Sequence, residues 1–119
     1  MSTTAAASDT LFLLPTNFED GGALFYCPQC LIFEGLLSRY AELLSSIKVR
    51  RVGYPRPRPE ITALLDEEFQ SCPLLIFGQL PEVPWDGFAV QSNRSQYFLN
   101  DPGQIGNYLA QRYGTPRPH

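Results

Sequence analysis

Basic residues are scarce in this chain of 119 residues, which has a single lysine, Lys48, eight arginines and one histidine, His119. Acidic residues outnumber them, and the formal net charge is -3. A protein that binds nucleic acid needs a basic face to neutralise the phosphates. We therefore expect no nucleic-acid partner for this chain.

Long apolar runs are also missing. The first apolar run covers only Leu11–Leu14, and the segment Met1–Thr10 before it is small, polar and free of basic residues. A membrane helix needs about 20 consecutive apolar residues, and a secretory signal begins with basic residues and a longer apolar stretch. We expect no membrane partner and a cytoplasmic location, where paired cysteines are more often catalytic or metal-binding than structural.

Cysteine is rare too, since the chain contains only Cys27, Cys30 and Cys72. Two thiols at the spacing of Cys27 and Cys30 can close a disulfide across one turn at the start of a helix. Because the pair follows an apolar run and precedes a long amphipathic segment, Cys27 is predicted at or near a helix N-terminus. Unpaired N–H groups and the macrodipole favour the thiolate there and lower the thiol pKa. We therefore expect Cys27 to be the attacking nucleophile and Cys30 the resolving thiol.

Two other interpretations of the pair remain open. A structural zinc site usually has four ligands, so the three cysteines would need the terminal His119 or a second subunit to complete one. Alternatively, the pair is an ordinary buried or vestigial one on a fold that only binds a partner, because a fold does not fix a function.

The apolar pattern of the first half predicts alternating strands and helices. The run Leu11–Leu14 is typical of a buried strand, and the glycine-containing segment 16–24 is predicted as a loop. Apolar residues at helical spacing predict an amphipathic helix over Leu31–Ile47. Partial alternation in Ile47–Tyr54 favours a second strand.

The second half continues this alternation. Prolines keep residues 54–59 extended until Pro59 starts a helix, and Cys72–Phe77 is predicted as a buried strand. A weaker strand is expected at Phe88–Val90 or Tyr97–Leu99.

A capping signal predicts the last helix. Asp101 is the expected N-cap, Pro102 the first helical residue and Gln104 the capping-box partner, and Gly114 ends the helix. The order β-α-β-α-β-β-α predicts an α/β fold with a central mixed sheet of four strands flanked by three helices. The domain is expected at residues 11–114, between a disordered N-terminal tail at 1–10 and a C-terminal tail at 115–119.

Two segments resemble known families. Tyr26-Cys27-Pro28-Gln29-Cys30 at the first strand-to-helix turn looks like a glutaredoxin active site. Ser71–Phe77 is similar to the cis-proline strand of the thioredoxin superfamily. Residues 11–114 follow the thioredoxin-like layout shared by glutaredoxins and the N-terminal domains of glutathione transferases. More narrowly, the sequence resembles a bacterial thioredoxin-like family of unknown function with similar Tyr-Cys, Tyr-Pro-Arg-Pro-Arg and Gly-x-Pro-Arg-Pro segments.

The resemblance implies roles for individual residues. Pro73 would be the cis-proline, and Cys72 before it would offer backbone hydrogen bonds to a thiol-bearing peptide. Glutathione, if it is the co-substrate, would place its glycyl carboxylate near two arginines and its γ-glutamyl end at the start of the last helix. The candidate substrate-binding residues are Tyr26, Pro28, Arg56, Arg58, Cys72, Pro73, Asn100 and Asp101.

These observations favour a glutaredoxin-like thiol-disulfide oxidoreductase with a redox-active Cys27–Cys30 pair. Its partner would be glutathione or a protein disulfide, and it would need no resident cofactor or metal; a homo-oligomer is compatible with this activity. The alternative is a non-catalytic glutathione-binding or protein-interaction module that uses the same cleft. Cys72 is expected to be a small buried apolar residue rather than a reactive thiol.

Overall fold

The computed structural model describes residues 8–119 as an α/β fold with two sheets and three helices. None of the helices in this range is long and apolar enough to cross a membrane. The strands are β1 (Thr10–Leu13), β2 (Phe18–Asp20), β3 (Ala23–Phe25), β4 (Lys48–Arg51), β5 (Leu74–Ile76), β6 (Gln91–Asn93) and β7 (Gln96–Leu99), and the helices are α1 (Pro28–Arg39), α2 (Pro59–Thr62) and α3 (Pro102–Tyr113).

The main sheet has the strand order β4-β1-β5-β7-β6. Strands β1 and β4 are parallel and are connected through α1, whereas the other neighbours are antiparallel. The prediction of four strands was wrong, because the sheet contains five. The additional strand is β6, whose residues Gln91–Asn93 are all polar and therefore give no apolar pattern. Of the two positions considered for the weaker strand, Tyr97–Leu99 is confirmed and Phe88–Val90 is not a strand.

Strands β2 and β3 form a separate hairpin where the sequence pattern predicted a loop at 16–24. Gly21 and Gly22 occupy the turn with φ of 61° and 83°. A two-residue hairpin turn whose twist matches that of its strands requires positive φ at both central residues. Glycine adopts positive φ without steric cost, which explains the glycine pair. The ring of Phe18 stacks on that of Tyr54 at 4.3 Å, so the hairpin packs on the segment after β4.

Helix α1 is shorter than predicted. We expected a helix over Leu31–Ile47, but α1 ends at Arg39 and residues 40–46 form turns. The turns nevertheless bury Leu44 and Ile47 in the core. Backbone hydrogen bonds within the turns hold these two residues in place. Apolar residues at helical spacing are therefore buried here by turns and not by a helix.

Helix α3 is confirmed at both ends. The side chain of Asp101 accepts a hydrogen bond from the Gln104 backbone N–H at 2.9 Å, and Gly114 ends the helix with a φ of 86°. The second half of the predicted capping box is absent, because the Gln104 side chain accepts from the Ala89 N–H at 2.8 Å instead. Pro59 begins α2 as predicted, although this helix has only four residues.

The two predicted tails are partly packed on the domain. Residues 1–7 of the N-terminal segment lie outside the described residues, but Asp9 is buried and Thr10 belongs to β1. In the C-terminal segment, Thr115 is buried. A Cβ atom at Gly106 would lie 3.0 Å from Pro118 Cγ, so this segment runs close along α3. The core itself is formed by β1, β5 and β7 with the inner faces of α1 and α3.

Candidate functional site

Cys27 occupies the N-cap of α1, as the sequence predicted. Its backbone is extended, with φ -86° and ψ 112°, and Pro28 follows at the first helical position. The backbone N–H of Cys30 donates a hydrogen bond to Cys27 Sγ at 3.2 Å. The half-buried sulfur therefore sits where unpaired N–H groups and the helix dipole stabilise negative charge.

Cys30 lies one turn behind Cys27 and is enclosed by the core. Only 3% of this residue is exposed, and its sulfur accepts a hydrogen bond from the Leu14 N–H at 3.4 Å. Burial, together with the hydrogen bond to Cys27, raises the pKa of the Cys30 thiol far above its ordinary value. The pair thus consists of an outer sulfur in contact with solvent and an inner one that remains a neutral thiol.

Cys72 lies two residues before β5, the neighbour of β1 in the sheet, at the same end as the pair. The register aligns Phe12 with Leu74 in antiparallel β1 and β5, and extending it by two residues places Cys72 opposite Leu14. The Cys72–Pro73 peptide bond is cis, as the resemblance implied. Burial raises the pKa of the half-buried Cys72 thiol to about 11, and a charge on Cys27 would raise it further. Cys27, Cys30 and Cys72 therefore form one thiol cluster.

Arg58 is buried beside this cluster, although it was expected to bind a substrate carboxylate. Its Nε and Nη2 donate to the Tyr54 carbonyl at 3.0 and 2.8 Å, and Nη1 donates to the Gln70 carbonyl at 2.6 Å. Its charge acts on Cys72, whose pKa it lowers against the larger effect of burial. Arg56 on the same proline-rich segment is exposed, so it is the arginine that a dissolved ligand can reach.

An exposed apolar surface adjoins Cys27 along the chain. It consists of residues from β3, the following turn and the first turn of α1, and their exposed fractions are large for apolar side chains. We call this surface the apolar rim; its members are Leu24 (71%), Phe25 (48%), Tyr26 (60%), Leu31 (45%) and Ile32 (56%). Several large apolar side chains exposed in one part of a chain are typical of interaction sites. Only Tyr26 was predicted as a site residue, because residues 16–24 were interpreted as a loop.

Residues 8–117 of the chain match a family model described as "Protein of unknown function (DUF3088)". The chain belongs to this family. The matched range contains all the elements of both sheets, the helices and the thiol cluster. Neither the curated proteins nor the solved structures contain a significant match.

In this DUF3088 member, the start of α3 reaches the same end of the sheet as the thiol cluster. The register pairs Leu75 with Leu99, so Asn100 and Asp101 follow β7 beside the start of β5. Both side chains have local partners. The amide oxygen of Asn100 accepts from Gln91 Nε2 at 2.8 Å, and Asp101 caps α3. The role of Asn100 and Asp101 in binding glutathione stays a prediction.

The opposite end of β1 carries a polar cluster that sequence reasoning missed. The buried Asp9 carboxylate accepts hydrogen bonds from the Gly78 N–H at 3.0 Å, from the Tyr113 hydroxyl at 2.6 Å and from the Tyr108 hydroxyl. A cavity of about 340 Å³ adjoins it, bounded by residues before β1 and after β5 and by the end of α3. No pattern could have revealed this cluster, because Asp9 and Tyr113 are 104 residues apart.

No metal-binding arrangement is evident in the part of the chain that the structure describes. Within residues 8–119, no group of three or more histidine, cysteine, aspartate or glutamate side chains is positioned to hold an ion. Cys27, Cys30 and Cys72 are free cysteines in the structure.

Proposed function

We propose that this protein is a thioredoxin-like thiol-disulfide oxidoreductase that uses Cys27 as nucleophile and Cys30 as resolving thiol. The observation that carries the proposal is the position of Cys27 Sγ, which is half-buried, caps α1 and accepts the Cys30 N–H at 3.2 Å. A thiolate is the attacking species in disulfide exchange, and a helix N-terminus stabilises it.

The arrangement of elements around Cys27 supports the same proposal. A parallel β1–α1–β4 unit carries the cysteine pair, and antiparallel β5 and β7 precede α3. Pro73 directly precedes β5, which pairs with β1 in antiparallel register.

In the proposed reaction, the Cys27 thiolate attacks one sulfur of a partner disulfide and forms a mixed disulfide. The other partner sulfur leaves as a thiolate. Cys30 then loses its proton to the departing group and attacks Cys27 Sγ, which releases the second partner thiol and leaves a Cys27–Cys30 disulfide. The protein's thiols supply the electrons, and a thiol reductant such as glutathione restores them. Burial raises the pKa of Cys30, so this thiol is protonated before the mixed disulfide forms.

Turnover of a small disulfide tests this proposal. Wild type is expected to catalyse the glutathione-dependent reduction of a mixed disulfide between glutathione and a small thiol, and Cys27→Ser to abolish the activity. Cys30→Ser is the matched control, because it keeps the nucleophile and can still accept glutathione from a mixed disulfide. Equal rates in wild type and Cys27→Ser would refute the proposal.

A second candidate function is a protein-interaction module, and the apolar rim favours it. Five exposed apolar residues beside Cys27 are suited to a protein surface rather than to the polar glutathione molecule. The two candidates predict different behaviour of Cys27→Ser. If the protein is a module, Cys27→Ser binds the partner as well as wild type does, and neither protein reduces a disulfide. If it is an oxidoreductase, wild type reduces a disulfide and Cys27→Ser does not.

A further inference from the structure

Arg58 is a buried cation without an acidic partner. Only 5% of it is exposed, and the ion pairs among residues 8–119 involve Arg51 with Glu34 and Arg94 with Asp66. Its donors meet the neutral carbonyls of Tyr54 and Gln70 instead. A buried charge is costly unless it is paired, so this site gains stability when a negative charge forms next to it.

Arg58 acts on the thiol cluster through Cys72. Gln70, which accepts from Arg58 Nη1 at 2.6 Å, lies two residues before Cys72 in the chain. Hydrogen-bonding and electrostatic effects of Arg58 both act on the Cys72 thiol. A thiolate at Cys72 would therefore supply the negative charge that Arg58 lacks.

Cys72 is also close to the two motif cysteines. Extending the β1–β5 register two residues beyond its last pair, Phe12 with Leu74, brings Cys72 towards Leu14, and the charge of Cys27 acts on the Cys72 thiol. Leu14 is the residue whose N–H contacts Cys30 Sγ at 3.4 Å. The three sulfurs consequently share one end of the sheet. Of the two thiols with raised pKa values, Cys72 is affected by Arg58 and Cys30 is not.

We propose that Cys72 is a second resolving thiol, which attacks the mixed disulfide on Cys27 and closes a Cys27–Cys72 disulfide in competition with Cys30. This inference rests on the proposed function, because it requires Cys27 to form a mixed disulfide first. It replaces the expectation that Cys72 is only a buried apolar residue.

The attack of Cys72 on the mixed disulfide requires no other reactant. Cys72 loses its proton to solvent and its thiolate attacks Cys27 Sγ; the bond between Cys27 and the partner sulfur breaks, and the partner leaves as a thiolate with the electron pair. The partner disulfide has been reduced, and Cys27 and Cys72 have been oxidised. A thiol reductant then reopens the bond. Cys72 is the better resolving thiol on acidity, because its pKa of about 11 is lower than that of Cys30.

Reaction of Cys30→Ser with an aromatic disulfide, dithiobis(nitrobenzoate), tests the proposal. Its coloured thiolate is released once when Cys27 forms the mixed disulfide. We expect a second release as Cys72 displaces the adduct, with a final intact mass that carries no adduct and a peptide map that links Cys27 to Cys72. Cys30→Ser/Cys72→Ser is the matched control, in which the adduct on Cys27 should persist. The map of oxidised wild type should contain the same linkage beside Cys27–Cys30.

The outcomes separate the inference from the proposed function. An adduct that persists on Cys27 in Cys30→Ser, with or without another adduct on Cys72, would overturn the role of Cys72 while wild type still resolves through Cys30. If Cys27 of wild type forms no adduct at all, the proposed function fails and the inference fails with it.

A second variant tests Arg58 as a positioning residue. In the Cys30→Ser background, Arg58→Lys removes the planar group that contacts both carbonyls and should slow the second release and move its pH profile to higher pH. A rise of one unit in the pKa of Cys72 lowers the rate by about threefold, since the smaller thiolate fraction is partly offset by greater nucleophilicity. Arg39→Lys, at an exposed position in the last turn of α1, is expected to leave the rate unchanged. An unshifted profile in Arg58→Lys would exclude this role of Arg58.

Discussion

The three cysteines of the thiol cluster differ in their surroundings. Cys27, Cys30 and Cys72 are the same side chain, yet the helix end exposes the first to donors and solvent, while the core encloses the second. The position of the pair between an apolar run and an amphipathic segment predicted that Cys27 lies at the N-terminus of a helix, and it caps α1. The sequence pattern could not predict the setting of Cys72, because that setting depends on Arg58, which enters from a different segment.

This difference predicts the order of alkylation. With iodoacetamide, Cys27 should react first because it is half-buried and caps α1, whereas the reactivity of Cys72 should keep rising with pH up to its pKa of about 11. Burial raises both inner pKa values, so these thiols stay protonated and unreactive below them. Timed alkylation with peptide mass mapping measures all three sites at once.

Denatured protein is the control for the alkylation series, because unfolded cysteines titrate near about 8.5 and should react equally. Modification of Cys30 as fast as Cys27 in the folded protein would contradict the assigned burial.

Elements were predictable where a local signal specified them. The capping residue Asp101 and the terminal Gly114 fixed α3, and the apolar run fixed β1. The hairpin β2–β3 was missed, although Gly21 and Gly22 carried the turn signal, because its strands are short and exposed. Residues 40–46 were assigned to α1 because turns can bury apolar residues at helical spacing. Tertiary packing, which a local pattern does not record, decided both cases.

The hairpin and the first turn of α1 supply the apolar rim, and this predicts partner selectivity. In Leu24→Ser/Ile32→Ser, kcat/KM for a protein disulfide should fall about tenfold, since the partial loss of apolar burial on the two side chains together removes about 1.4 kcal/mol of binding. Turnover of a small disulfide and the free energy of unfolding should not change, because both side chains are exposed. Parallel assays on the two substrates measure the selectivity.

Leu43→Ser is the matched control for the rim variant. Leu43 is an apolar residue with 45% exposure that lies beyond the C-terminal end of α1, away from Cys27. An equal loss on both substrates, or an equal effect of Leu43→Ser, would argue against a docking role for the rim.

The candidate site and the polar cluster of Asp9, Tyr108 and Tyr113, which we call the clamp, lie at opposite ends of β1. The thiol cluster lies at the C-terminal end of β1, and the cluster of Asp9, Tyr108 and Tyr113 ties the N-terminal end of β1 to α3. The Asp9 carbonyl also accepts from the Lys48 N–H at 2.9 Å, so β4 is attached at the same point. These contacts join distant parts of the chain, so only the folded structure reveals them.

This clamp predicts a specific alkaline loss of stability. Burial and the hydrogen bond to Asp9 raise the pKa of Tyr113 from 10.0 to about 12. A group whose pKa is higher in the folded than in the unfolded state stabilises the fold fully below the unfolded value and loses this contribution as pH rises through the folded value. The Tyr113 contribution should therefore be complete below pH 10.0 and disappear towards about pH 12.

Urea unfolding of Tyr113→Phe measures this contribution. At neutral pH the variant should lose about 1.5 to 3 kcal/mol, the usual worth of a hydrogen bond to a charged group, and the difference from wild type should shrink above pH 10.0. Tyr97→Phe, at an exposed position, is the control and should match wild type throughout. Because the clamp lies at the other end of the sheet, Tyr113→Phe should also keep the disulfide-exchange activity at neutral pH. A constant difference across this pH range would mean that the Tyr113 hydroxyl does not titrate against Asp9.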